Sequence, residues 1–265
     1  MGTFVHISAS GPNSETVEPA IENAFRAVEQ VERLMSFHDS QSELFRINRE
    51  ARIQPQTVHP WTYAVLRRAL WIATLSDGLF DISVAPLLVE AGLLPRTQGS
   101  TSASGNGQSL ELLPDNRVYF TQPMLLDLGG IAKGFAVDQA IHALRRGGCS
   151  EAIVNAGGDL RLFGRTPHPI YLRRSTGPVQ VAVLRCGTVA TSSPNKSIPD
   201  QLSQPIGCII NPQQRRAWDG EGSVMVAARS CMIADALTKV AALAGPSCQT
   251  LLDRFGAQAI WDNQQ

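Results

Sequence analysis

The spacing of hydrophobic and polar positions changes several times along the chain, as expected for a mixture of strands and helices. The stretch FVHISAS, residues 4–10, alternates apolar and polar positions and predicts a strand. Residues 17–35 repeat apolar side chains every three or four positions and predict an amphipathic helix, with Pro19 tolerated in its first turn. Further helices are predicted at residues 61–75, 135–146 and, as the last helix, 232–243.

Short apolar runs bounded by turn residues predict hairpins. RVYF at 117–120 and MLLDL at 124–128 predict one pair of strands, and EAIVNAGGDLRLFG at 151–164 predicts two strands around a glycine turn. The low-complexity segment TQGSTSASGNGQ, 97–108, predicts a flexible surface loop. Because hairpins outnumber βαβ units, the pattern favours an α+β fold, with mixed or antiparallel sheets flanked by helices, over a doubly wound α/β fold.

Composition excludes several classes of protein. The 265 residues contain 23 basic and 23 acidic side chains, which gives no broad field for nucleic acid or an anionic membrane. The 5 cysteines are odd in number and form no C-x-x-C, which argues against a disulfide framework or a zinc knuckle. The chain shows neither a signal peptide nor a membrane-spanning apolar run, so as given it is expected to be cytoplasmic, or periplasmic or membrane-associated if a leader was removed.

The segment DLGGIAKG, which opens residues 127–148, places chemistry at a strand-to-helix corner. Its spacing fits neither G-x-G-x-x-G nor a P-loop. Asp127 ends an apolar run and could accept a hydrogen bond from a sugar or ring N–H, Gly129 and Gly130 free the backbone, and Lys133 enters the next helix. The start of a helix and a lysine favour a phosphate group. From these residues alone, a tight turn with an exposed Asp–Lys pair explains the segment equally well.

Other segments accompany this one in a fixed order along the chain. They are MGT (1–3), LMSFHDSQSELFRIN (34–48), GLFDISVAPL (78–87), DLGGIAKGFAVD (127–138), NAGGDLRLFG (155–164), ATSS (190–193), CIINP (208–212) and ADALTK (234–239). Together they resemble the ApbE family, the FAD:protein FMN transferases, over most of the chain. A single motif would be weak support, whereas the whole series in family order is strong support.

The resemblance implies one ApbE-like α+β domain over residues 1–265 and an Mg²⁺-dependent enzyme. Such an enzyme attaches FMN from its substrate FAD to a Ser or Thr hydroxyl of a target flavoprotein and releases AMP. By the same resemblance, the residues that contact FAD are Met1, His38, Leu79, Phe80, Asp81, Asp127, Lys133 and Ile209. His38 stands where the family usually has a tyrosine against the adenine. Neither nucleic acid nor a membrane span is expected.

The resemblance also implies a metal site formed by the backbone carbonyl of Gly130 with Asp235 and Thr238. Hard oxygen ligands suit Mg²⁺, which neutralises the charge that develops when a pyrophosphate breaks. Four residues after the aspartate, the family usually has a threonine, and this chain has Lys239. Helical spacing alone explains Asp235, Thr238 and Lys239 more simply, as a solvated face with an i,i+4 ion pair.

Cys208 takes the place of the histidine that the resemblance identifies as catalytic, in a family segment H-I-[IL]-[DN]-P. A thiol with an ordinary pKa of about 8.5 is a poorer base at neutral pH than an imidazole. From the residues alone, Cys208 is explained best as a small buried apolar residue beside Ile209 and Ile210. Two alternative functions therefore stay open: a FAD-binding homologue without transfer activity, and a metal-dependent FAD pyrophosphatase that yields FMN and AMP.

Overall fold

The computed structural model describes residues 2–96, 105–174, 177–193, 209–220 and 222–262. In these ranges the helices are α1 (Ser14–Met35), α2 (Glu43–Glu50), α3 (Pro60–Leu75), α4 (Ala85–Glu90), α5 (Ala132–Arg146), α6 (Cys231–Ala244) and α7 (Gln249–Arg254). The strands are β1 (Val5–Ser10), β2 (Gln56–Thr57), β3 (Leu110–Leu113), β4 (Arg117–Phe120), β5 (Glu151–Ala156), β6 (Asp159–Phe163), β7 (His168–Arg174), β8 (Gly177–Leu184), β9 (Gly187–Ser192), β10 (Ile210–Asn211), β11 (Arg216–Ala217), β12 (Ser223–Ala227) and β13 (Gln258–Asp262).

Contacts between residues divide the chain into two compact units, each built from separate segments. Unit 1 comprises Met1–Gln30, Lys133–Ser192 and Glu221–Gln265, and unit 2 comprises Val31–Ala132 and Ser193–Gly220. The single domain expected over 1–265 stays a prediction.

Unit 1 is built on a six-stranded sheet in the order β1-β5-β6-β9-β12-β13. Every neighbouring pair of strands is antiparallel, which confirms the α+β class predicted from the hairpin pattern. In β5 the side chains of Ala152, Val154 and Ala156 alternate into the core, as the period of a half-buried strand requires. Helix α6 packs on β6, β9 and β12, so it is buried on nearly all sides.

The predicted hairpin at 151–164 is present as β5 and β6, which pair in register from Ala152 opposite Phe163 to Ala156 opposite Asp159. Its turn is Gly157–Gly158, and both residues have positive φ angles, 63° and 99°. Only glycine adopts such angles without strain in this setting. The turn explains why the two glycines interrupt an otherwise strand-like run.

Unit 2 contains the three-stranded antiparallel sheet β2-β4-β3 together with α2, α3 and α4. Here the prediction for residues 124–128 was wrong. RVYF forms β4 but pairs with β3 and β2, and MLLDL is an irregular buried segment. The Asn48 side chain donates to the Leu126 carbonyl at 2.9 Å and accepts from the Leu126 N–H at 2.8 Å. A side-chain amide therefore satisfies the backbone that a partner strand was expected to satisfy.

The predicted helices are present as α1, α3, α5 and α6, but α5 begins at Ala132 rather than at residue 135, and α2, α4 and α7 were not predicted. Helix α1 starts at Ser14 rather than at residue 17, because the Asn13 side chain accepts the Thr16 N–H at 2.9 Å and caps the helix. The helix predicted at 232–243 is α6, but it is not the last helix, since α7 follows it. Six residues are too few to show a helical period in the sequence.

Residues 97–104 of the predicted loop at 97–108 lie outside the described residues. In its remaining part Asn106 and Gln108 are exposed, whereas Gly107 is buried and begins the short 3-10 helix Gly107–Ser109. In the ranges that the structure describes, no helix combines the length and the apolar character needed to cross a membrane.

Candidate functional site

The FAD-contacting residues predicted in unit 2 lie in loops and turns at the ends of its helices. Leu79 and Asp81 are half-buried and Phe80 is buried, in the loop that follows α3. The Asp81 carboxylate accepts the Ser83 N–H at 2.8 Å and the Gly107 N–H at 3.5 Å. The Asp127 N–H donates to the carbonyl of Ile82 at 2.8 Å, so the structure brings Asp127 beside the 79–81 loop.

The other residues predicted to contact FAD differ in their surroundings. His38 is exposed between α1 and α2. Ile209 is buried, and its carbonyl accepts the Trp218 N–H at 2.7 Å. Met1 and the proposed catalytic Cys208 lie outside the described residues, so their roles stay predictions.

In unit 1, Lys133 projects from the first turn of α5 towards two buried carboxylates. Its Nζ lies 3.0 Å from Asp159 Oδ2 and 3.3 Å from both carboxylate oxygens of Asp235. The contact with Asp159 is an ion pair without hydrogen-bond alignment. The Lys133 side chain keeps 28% of its surface exposed, whereas each carboxylate side chain keeps 1%. Lys133 is therefore partly exposed, and its ammonium group is held in position by two carboxylates that are buried from water.

Asp235 is the centre of this cluster, because four donor contacts converge on its carboxylate. Lys133 contacts both oxygens, Lys239 contacts Oδ1, and the Gly134 N–H donates to Oδ2 at 3.1 Å. Lys239 Nζ also donates to the Asp235 carbonyl at 2.9 Å. Asp235 is 0% exposed, so the solvated helix face is contradicted as an explanation.

Thr238 is also fully buried, and its hydroxyl already has two partners. Oγ1 donates to the Asp235 carbonyl at 2.6 Å and lies 2.7 Å from the Ser192 hydroxyl at the end of β9. The threonine therefore ties α6 to the sheet.

The close approach of α5 and α6 depends on Gly134. A Cβ atom at this position would lie 2.2 Å from the Cys231 carbonyl oxygen and 2.8 Å from the Met232 nitrogen. One turn later along α5, the Asp138 carboxylate accepts the N–H groups of Cys231 and Met232, both at 3.0 Å. These bonds satisfy donors that the start of α6 would otherwise leave unpaired. The second glycine of the GIAKG segment thus has a packing role.

The buried charges shift each other's pKa values. Burial raises the pKa of Asp159 to about 6, and Asp235 adds to the increase while Lys133 and Lys239 oppose it. Burial also disfavours the charged form of Asp235, but the two lysines outweigh it and lower the pKa of this carboxyl. For Lys133, burial is outweighed by Asp235 and Asp159, which raise its pKa above the ordinary value. Lys133 therefore stays charged at any physiological pH.

Asp235 and Thr238 do not fit Mg²⁺ while Lys239 stays in its position. Mg²⁺ requires free oxygen ligands at nearly octahedral positions. The oxygens of Asp235 accept from Lys133, Lys239 and Gly134, and the Thr238 hydroxyl is engaged as well. Across the described part of the chain, no group of three or more His, Cys, Asp or Glu residues could hold a metal. Gly130, in the turn before α5, stays a prediction as a ligand.

A sequence model of the ApbE family matches residues 1–261. The chain belongs to the ApbE family.

Individual ApbE proteins are similar to this chain at modest identity. The FAD:protein FMN transferase of Vibrio cholerae is 28% identical over 251 residues, which cover 85% of this chain and 72% of that protein. The FAD:protein FMN transferase of Escherichia coli K12 is 24% identical over 269 residues, covering 93% and 77%. Among solved structures, the flavin transferase ApbE from Vibrio cholerae matches with a TM-score of 0.81 and 25% identity, covering 98% and 90%. The ApbE protein from Thermotoga maritima matches with 0.80 and 26%, covering 98% and 91%.

Sequence reasoning missed several residues that surround the Lys133–Asp235 cluster. Asp159 and Ser192 lie in segments that carried the resemblance, NAGGD and ATSS, but nothing in the spacing assigned them a role. Asp138 closes the motif DLGGIAKGFAVD, and its bonds to α6 appear only when the two helices are packed.

Proposed function

We propose that this ApbE chain is a FAD:protein FMN transferase that attaches FMN to a Ser or Thr hydroxyl of a target flavoprotein. The relatives named above carry that activity in their names. The observation that carries the proposal is the pair of ammonium groups, Lys133 and Lys239, held by Asp235 beside the first turn of α5. Ammonium N–H donors next to the start of a helix suit a pyrophosphate.

The reaction divides FAD at its pyrophosphate. The acceptor hydroxyl oxygen attacks the phosphorus on the riboflavin side, a new P–O bond forms, and the bond to the AMP phosphate oxygen breaks. AMP leaves with the electron pair of that bond, and the proton of the hydroxyl passes to a base. If water attacks in place of the hydroxyl, the products are FMN and AMP.

The residues of this chain contribute binding, orientation and charge. Lys133 is held by Asp159 and Asp235, so its ammonium is already positioned before a phosphate arrives. We assign the flavin-side and adenine-side contacts to the loop 79–81, Asp127, His38, Met1 and Ile209, in accordance with the family pattern. Cys208 takes the position of the general base, although its thiol is poorly suited to that role at neutral pH.

Purified chain with FAD and an acceptor flavoprotein, in parallel with Mg²⁺ or with EDTA, tests the proposal. Covalent flavin on the acceptor is measured by fluorescence of the denatured protein band, and free FMN and AMP are measured by chromatography. We expect covalent flavin and AMP in equal amounts. An acceptor variant with Ala in place of the modified Ser or Thr is the control.

The same assay separates the two alternatives. FMN and AMP without covalent flavin would identify a FAD pyrophosphatase, and saturable FAD binding without either product would identify a binding homologue. The substitution of Cys208 for the family histidine favours these alternatives. Absence of FAD binding at micromolar concentration would contradict the whole proposal.

A further inference from the structure

In the cluster of lysines and carboxylates of unit 1, the positive and negative charges balance without a metal ion. The cluster joins two lysines, Lys133 and Lys239, to two buried carboxylates, Asp159 and Asp235. Without Lys239, one ammonium would face two carboxylates, and the excess negative charge would attract a cation. With Lys239 in place, a divalent ion would have to displace an ammonium and then lie beside two positive charges.

The position of Lys239 is fixed by its own helix. It lies four residues after Asp235 on α6, so its side chain returns along the helix to the Asp235 carboxylate and carbonyl. Within the described part of the chain, the Lys239 ammonium donates to two acceptors, the carbonyl oxygen and the Oδ1 atom of Asp235, which use two of its three N–H groups. The third can donate to an oxygen of a bound phosphate. The side chain keeps 18% of its surface exposed, so this end of the cluster is not sealed.

We propose that Lys239 replaces the divalent cation, so that this chain binds FAD through two lysine ammonium groups and without a metal. This inference rests on the proposed function, because it assumes that a pyrophosphate binds at the cluster. It differs from the family expectation in one respect: the positive charge opposite the phosphates is covalently attached to α6. Metal concentration then has no influence on substrate binding.

The first test measures metal binding by the free protein and needs neither FAD nor a variant. Mn²⁺ is titrated into the full chain, and unbound Mn²⁺ is followed by electron paramagnetic resonance. We expect no stoichiometric binding at micromolar Mn²⁺. Binding of one Mn²⁺ per chain in that range would overturn the inference, whatever the chain does with FAD.

The second test measures FAD affinity by quenching of flavin fluorescence, in EDTA and in Mg²⁺. For the unmodified chain, we expect dissociation constants that agree within about twofold between the two buffers, which corresponds to less than about 0.5 kcal/mol. Binding that requires Mg²⁺ would overturn the inference. Failure to bind FAD in both buffers would contradict the proposed function, while the Mn²⁺ titration would still decide whether the cluster excludes a metal.

Two substitutions at Lys239 assign the effect to its ammonium. Lys239→Met keeps the length of the side chain without the charge and should weaken FAD binding about tenfold or more in EDTA, which is about 1.4 kcal/mol. Lys239→Thr should weaken FAD binding equally in EDTA and should regain affinity when Mg²⁺ is added.

Arg26→Met removes a charge from an exposed i,i+4 pair with Glu22 and is the matched control. Thermal melts show that each variant is folded. Unchanged affinity in folded Lys239→Met would overturn the role of Lys239.

Discussion

Replacing Gly134 with alanine should destabilise the protein, although alanine is the better helix former. The new Cβ would lie 2.2 Å from the Cys231 carbonyl oxygen, where ordinary contact begins near 3.4 Å, so α5 and α6 must separate by roughly 1 Å. The 3.1 Å bond from Gly134 N–H to Asp235 would lengthen with them and be lost. The atoms that the new Cβ would meet belong to the backbone of Cys231 and Met232, so no flexible side chain can move away to relieve the contact.

The expected change in the free energy of unfolding is the sum of two destabilising contributions and one stabilising contribution. Overpacking costs about 1–3 kcal/mol, and loss of a hydrogen bond to a charged group costs about 1.5–3 kcal/mol. The gain in helix propensity from glycine to alanine returns about 1 kcal/mol. The free energy of unfolding should therefore fall by about 1.5–5 kcal/mol.

Urea unfolding followed by tryptophan fluorescence and circular dichroism measures this change. His142→Ala, at an exposed position of α5, is the control and should leave the unfolding midpoint nearly unchanged. A Gly134→Ala protein as stable as the unmodified chain, or more stable by the difference in propensity, would refute the reasoning. It would mean that the two helices can separate without cost.

Three further predictions concern other parts of the chain. Between about pH 4 and 6 folded Asp159 holds a proton that the unfolded chain has released, so the free energy of unfolding falls as pH rises. The Asp159→Asn variant lacks this titration, so from pH 4 to 7 its free energy of unfolding should rise by up to about 3 kcal/mol relative to that of the unmodified chain. Urea midpoints of the two proteins that change in parallel with pH would contradict this. Asn48→Ala removes both bonds to the Leu126 backbone and should cost about 2–4 kcal/mol in urea unfolding, whereas an unchanged midpoint would mean that water replaces the amide. Cys208→His should raise the single-turnover rate of flavin transfer about 10²–10⁴-fold near neutral pH, and an unchanged or slower rate would show that activation comes from elsewhere.

The sequence was most informative where the pattern is local or continuous. The alternation in residues 4–10 predicted β1, and the glycine pair at 157–158 predicted the turn between β5 and β6. The ApbE family was predicted from the ordered series of segments, and the family match over 1–261 confirms it. These features depend on neighbours in the chain, so no knowledge of packing is needed to find them.

Features that depend on contacts between distant residues were not predictable. MLLDL has the composition of a strand, but the side chain of Asn48, 78 residues from Leu126, bonds to the backbone of Leu126. Asp235, Thr238 and Lys239 have the spacing of a solvated helix face, and only the burial of α6 between α5 and the sheet shows that they form an interior cluster. Helical periodicity predicts which residues lie on the same face of a helix, but it does not predict which other elements cover that face.

The strand order of unit 1 also has a consequence for the time course of folding. β1 and β13, from opposite ends of the described chain, are the two edge strands of the six-stranded sheet, and β1 pairs with β5 across more than a hundred intervening residues. During synthesis from the N-terminus, β1 must therefore wait for β5, and the edge of β12 stays unpaired until β13 emerges. An unpaired strand edge is a template for association with other chains. Pairings of such long sequence separation form slowly, so the nascent chain is exposed to misassembly until β13 has joined the sheet.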